Sequence, residues 1–184
     1  MLIDFDTKDG KEMYEKIWDR VYDELGFKPS YEYHDHSMNV TLPFDIKQRY
    51  VVYSTDDMNE AQIEGLSRIM PSVLAELTPV GKRVYALDLH HAAFLFDPCN
   101  SDEMKSVSEI DEKTGEQSGI SYFPEFYPNG DYYFFIAEDF SFGRLGHPWR
   151  QEIWLYGDTC IERFDRLYKQ FNMKKSLKAM EEIK

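Results

Sequence analysis

Between Asp9 and Leu25 the apolar residues Met13, Tyr14, Ile17, Trp18, Val21 and Leu25 recur every three or four positions. That spacing places them on one stripe of a helix, and Gly26 stands where a left-handed residue ends one. "YEYHDHSMNVTLPF" loses the period: Tyr31 and Tyr33, then Val40 and Leu42, alternate with polar residues and predict short edge strands or irregular extended chain. "QRYVVYST", Gln48 to Thr55, is a β-branched and aromatic run and predicts a strand. Asp56 and Asp57 are candidate N-caps for a second helix whose buried face carries Ile63, Leu66, Ile69, Met70, Val73, Leu74 and Leu77. Pro71 falls inside that helix, where loss of a backbone donor and a clash with the preceding turn predict a kink or a break.

"KRVYALDLHHAAFLFDP" holds two apolar runs, Val84 to Leu89 and Ala92 to Phe96, separated by His90 and His91, which fits a hairpin or one bulged strand. From Cys99 to Gly119 there is no aromatic residue, and the segment reads as a long mobile loop, residues 99–119. Asn129-Gly130 then provides a tight turn, and "DYYFFIAED" is apolar on both faces, as a central strand must be. "QEIWLYG" pairs back on it, with Gly-His-Pro-Trp as the loop between. There Gly143 and Gly146 would allow positive φ, and Pro148 would fix the re-entry. Asp158 can cap a final helix buried along Ile161, Phe164, Leu167, Tyr168 and Phe171, and residues 172–184 form an amphipathic or frayed tail. The expected fold is α+β: one domain over residues 1–171, with a mostly antiparallel sheet of about five or six strands and helices packed on one face.

Composition narrows the function classes. With 184 residues, 42% hydrophobic and 16% aromatic, the chain can build a core without staples. Cys99 and Cys160 have no metal-ligand spacing and read as free thiols of a reducing compartment. The start "MLIDFDTKDG" lacks a basic and an apolar signal region, and no run of 18 apolar residues occurs, so a cytoplasmic protein is expected. Its 34 acidic against 21 basic side chains give a net charge of -13, which repels phosphate backbones and anionic membranes. The expected partner is therefore a basic protein, with neither nucleic acid nor membrane engaged.

At "YALDLHHAAFLFDP", "YPNGDYYFFIAEDFSFG" and "GHPW" the chain resembles the small bacterial proteins of domain-of-unknown-function family 2716, over roughly Tyr85 to Phe164. Its pattern falls on Asp88, His91, Gly130, Asp131, Tyr132, Tyr133, Gly146, His147, Pro148 and Trp149, with Leu89 standing where the pattern has Trp. The resemblance implies a bacterial cytosolic protein and supplies no activity. The strand-hairpin-helix ending also looks like the SMI1/KNR4-type (SUKH) domains, many of which serve as immunity modules.

Asp88, His90 and His91, with Asp131 or His147 from another strand, could make a His/carboxylate acid-base or metal site. On a continuing strand His90 shares a face with Asp88 and His91 points away, so only part of the set would converge. The reading favoured over catalysis is a buried polar network in which Asp88 or Asp131 accepts a proton from His91 or His147 and fixes strand register. No HExxH, P-loop or EF-hand spacing occurs, so no metal or cofactor is assigned, and Glu109, Asp111, Glu112, Glu138 and Asp139 read as solvated faces. Trp149 either plugs the core or projects with His147 and Arg150 as a recognition patch. Two classes stay open: a protein-binding or regulatory, immunity-like module, and a small hydrolase-type or metal-dependent enzyme using Asp88, His91, Asp131 and His147.

Overall fold

The computed structural model describes residues 1–5, 7–28, 44–111 and 113–176. Helix α1, Lys8–Leu25, starts at Thr7, whose hydroxyl accepts the Gly10 N–H at 3.1 Å. It ends at Gly26, whose φ of 58° is left-handed and whose missing Cβ leaves room for Asp45. Strand β1 is Tyr50–Ser54. Helix α2, Glu60–Leu77, is capped by Asn59 and not by Asp56 or Asp57. The Asn59 side chain accepts from Gln62 N–H, and the Gln62 side chain accepts from Asn59 N–H. The helix runs through Pro71 without the expected break, its Leu66, Met70, Val73 and Leu74 buried on both sides of that residue. Burial of this stripe outweighs one lost backbone bond.

Strands β2, Val84–Asp88, and β3, Ala93–Phe96, form a hairpin. Within the expected loop of residues 99–119 lie a 3-10 turn, Ser101–Glu103, and a second hairpin made of β4, Val107–Ile110, and β5, Gln117–Ser121. Its composition does not bury a core, and all four residues of β4 are exposed. Pairing is instead local, across a turn in which the Asp111 side chain accepts the Lys113 and Thr114 N–H groups.

The aromatic stretch makes three strands and not two: β6, Tyr133–Ala137, β7, Gly143–His147, and β8, Glu152–Tyr156. "GRLGH" is thus a central strand buried at every position. Gly143 and Gly146 are absent from the positive-φ positions. What they supply is space: a Cβ on Gly143 would stand 2.3 Å from the Tyr156 ring. The turn from β7 to β8 is Pro148 to Gln151. Gln151 holds a φ of 49° while its side chain bonds the Pro148 and Pro128 carbonyls and accepts from the Tyr127 hydroxyl.

Helix α3, Asp158–Asp165, follows Gly157 as N-cap, and the expected longer helix gives way to a 3-10 turn at Tyr168–Phe171. Lys174–Lys175 then add β9 beside β1. The expected strands at Tyr31, Tyr33, Val40 and Leu42, and tail residues 177–184, lie outside the described residues.

The sheet has seven strands in the order β3-β2-β6-β7-β8-β1-β9, every pair antiparallel. Helices cover both of its faces, where one face was expected. Ile17, Trp18, Val21 and Leu25 of α1 pack with Phe134, Leu145 and Trp154. Residues of α2 and α3 pack with Phe135, Ile153 and Leu155. Adjacent residues of β6 point to opposite faces, and because both Phe134 and Phe135 are apolar, each face needs a cover. No helix among the described residues is long and apolar enough to cross a membrane.

Candidate functional site

Asp88 is the last residue of β2 and pairs with Tyr133 at the start of β6. Its N–H donates to the Ala92 carbonyl at 2.8 Å, closing a short connection that contains His90 and His91. These two residues therefore sit in a turn and not on a continuing strand, and the alternation that would send them to opposite sides does not apply. Asp131 lies two residues before Tyr133, which brings it next to Asp88 across the β2–β6 ladder. Its Oδ1 accepts the Tyr132 N–H at 2.7 Å.

Four side chains meet here. His91 Nδ1 is 3.0 Å from both Asp88 oxygens and 3.6 Å from Asp131 Oδ2. His90 Nδ1 is 2.6 Å from Asp131 Oδ2, and the His90 N–H donates to Asp88 Oδ1 at 3.2 Å. Both carboxylates are buried while the imidazoles face outward. Burial raises the Asp88 pKa and the nearby Asp131 adds to the rise, against the opposing hydrogen bonds from His91 and the His90 N–H. The hydrogen bond to Asp88 raises the pKa of His91 in turn. Tyr133, partly buried beside Asp88, Glu125 and Asp131, is pushed up to about 12 and stays a neutral phenol.

Asp88, His90 and His91 line one wall of a cleft of about 720 Å³, with Asp131 behind them. The opposite wall is the β4–β5 hairpin with the residues flanking it, including Ser106, Glu109, Ile120 and Tyr122. This wall was not legible in the sequence, because residues as distant as 90 and 109 that share a cleft leave no local periodic signal. The His90-His91 pair interrupting an apolar run was the legible sign of the other wall.

Asp88, His91 and Asp131 thus converge, and His147 does not join them. His147 ends β7 near the α1 side of the sheet, only 2% exposed. Its Nδ1 accepts the Arg150 N–H at 3.3 Å and its Nε2 lies 3.2 Å from the Tyr132 hydroxyl. Burial, reinforced by the Arg150 charge, pushes its pKa down to about 3, so the ring is neutral. The side chain of Arg150 is also buried, its Nε paired with Glu152 at 2.8 Å, and Glu152 further accepts from Trp154 Nε1 and the Ser176 hydroxyl. Trp149 alone of the expected patch is exposed, at 44%, so it is neither a core plug nor part of a surface shared with those two side chains.

Cys160, the third residue of α3, is buried and its thiol is pushed up to about 12 by that burial, which suits packing and not nucleophilic attack. Arg144, on β7, is fully buried. One guanidinium nitrogen donates to the Phe126 carbonyl, and Nε and Nη1 have no partner among the described residues.

The family model described as "Protein of unknown function (DUF2716)" matches residues 10–161. "Uncharacterized protein YxiI" of Bacillus subtilis (strain 168) is 29% identical over 157 residues, covering 82% of this chain and 86% of the relative. No solved structure matches.

Proposed function

The chain belongs to the DUF2716 family of proteins of unknown function, and on that premise we propose that it is a protein-binding, regulatory module that receives a basic partner on its β4–β5 hairpin. The observation that carries this reading is the concentration of apolar surface there. Of the large hydrophobic side chains exposed among the described residues, Val107, Ile110, Ile120 and Tyr122 all lie on or beside this hairpin. A two-stranded hairpin is marginally stable in water by itself, and exposed apolar residues on one point to a surface that a partner covers. Residues 99–121 carry six acidic and two basic side chains, which complements a basic protein and matches the sign of the whole chain. An immunity-like role, occluding the working surface of a basic protein, fits this chemistry.

The test is capture from lysate of the protein's own host at low and high salt, with wild type beside an Ile110→Ser/Tyr122→Ser double variant. These side chains are 56% and 66% exposed, so their loss leaves the fold intact. A basic protein held at low salt, released at high salt and lost by the variant supports the reading. Capture that the variant leaves unchanged, or none at low salt, sinks it.

A second reading, a small hydrolase-type or metal-dependent enzyme, draws support from the meeting of Asp88, His91 and Asp131 at a concave surface. Turnover of a panel of phosphate and carboxylic esters that His91→Ala abolishes is its expected result. Equal turnover by wild type and variant, or none by either, ends it.

A further inference from the structure

Two buried carboxylates that lie side by side need positive charge. Among the described residues the cationic partners of Asp88 and Asp131 are His90 and His91, and no Lys or Arg is paired with either. An imidazole balances a carboxylate only while it is protonated, whereas a dication balances both carboxylates in full. The spacing suits one. Ligands about 2.1 Å from a common ion are separated by about 3.0 Å at right angles and about 3.4 Å in a tetrahedron. His91 Nδ1 stands 3.0 Å from Asp88 and 3.6 Å from Asp131, and the ligand atoms of all three residues lie within 4.8 Å of one another.

We propose that Asp88, His91 and Asp131 hold a divalent first-row transition-metal ion, of the zinc or manganese class, at the mouth of the cleft. The imidazole nitrogen favours such an ion over magnesium or calcium, which prefer ligand sets made of oxygen. Two carboxylates and one neutral imidazole leave the filled site without net charge. Three protein ligands leave coordination positions open toward the cleft of about 720 Å³, the arrangement of metal sites that keep a water or bind a substrate. His90 is not a ligand. At 2.6 Å its Nδ1 is hydrogen-bonded to Asp131 Oδ2, closer than two ligands of one ion stand, so it orients that carboxylate from outside. As a ligand through Nδ1, His91 carries its proton on Nε2, and affinity falls as the solution is acidified.

This assignment deepens the second reading above but stands without it, since a bound ion can serve the fold alone. Metal-stripped full-length protein is titrated calorimetrically with Zn²⁺, Mn²⁺ and Mg²⁺, for wild type, His90→Ala and His91→Ala. His91 is 67% exposed, so its replacement leaves the fold intact. The expected result is one equivalent of Zn²⁺ or Mn²⁺ and no uptake of Mg²⁺. Loss of an outer partner in His90→Ala weakens binding roughly 10–100-fold, and His91→Ala weakens it further. Absence of Zn²⁺ and Mn²⁺ uptake by wild type, Mg²⁺ bound as tightly, or a loss in His91→Ala no larger than in His90→Ala overturns the site. Uptake with no turnover on the ester panel refutes only the enzyme reading.

Discussion

Acidification from pH 7 to pH 5 is expected to destabilise the fold through His147. Its folded pKa of about 3 lies below the ordinary 6.5, because the ring is buried and faces the Arg150 charge. A depressed pKa means that the unfolded chain takes the proton first. The stability is present above pH 6.5 and is lost as pH falls toward the folded value. At pH 5 nearly every unfolded molecule carries this proton and almost no folded one does, which costs about 2 kcal/mol relative to pH 7. His91 acts in the opposite sense, on the other side of its ordinary value. Its raised pKa contributes stability that is present below its ordinary value and lost as pH rises through the folded one. The assay therefore compares wild type with His147→Asn by urea unfolding at pH 7, 6 and 5. Asn can still accept the Arg150 N–H, and any cost of losing the contact to Tyr132 is independent of pH. The stability difference between the two proteins is expected to shift by about 2 kcal/mol in favour of Asn as pH falls. A difference that stays constant within about 0.5 kcal/mol would refute the buried neutral ring.

Two substitutions on β7 test its packing. Gly143→Ala drives a Cβ to 2.3 Å from the Tyr156 ring, which is fully buried and cannot move aside, so a loss of about 1–3 kcal/mol is expected in urea unfolding. An unchanged midpoint would show that the sheet opens there at little cost. Arg144 keeps its charge in the core at a pKa pushed down to about 9 by burial, with two nitrogens unpartnered among the described residues. Arg144→Met is expected to be neutral or to stabilise by about 1–4 kcal/mol, and a clear loss would mean that buried water satisfies the guanidinium.

The aromatic stretch shows how far sequence patterns reach. "YFFIA" announced a central strand because it is apolar on both faces, and that same fact demanded a helix layer on each side. "GRLGH" hid a second central strand, since its glycines and arginine imitate loop composition. Gly143 is there because the Tyr156 ring, its partner on the neighbouring strand, occupies the space of a Cβ, a contact that no local pattern signals. Asn59, and not the more distant Asp56 or Asp57, caps α2, and its Asn-x-x-Gln at residues 59–62 is a local signature legible in the sequence.

Sequence by itself determined the α+β class, the stripes of α1 and α2, the β2 and β6 strands and the acidic sign of the surface. All of these depend on neighbours within a few positions along the chain, or on composition. Tertiary structure alone decided which of the candidate polar residues meet. Asp88 reaches Asp131 through the β2–β6 register, and His90 and His91 turn toward them because the chain bends after Asp88. His147, two residues from Trp149, is buried on the α1 side while Trp149 is exposed. Local pattern fixes which face of an element is apolar. Only the pairing of strands distant in sequence fixes which polar ends share a cleft.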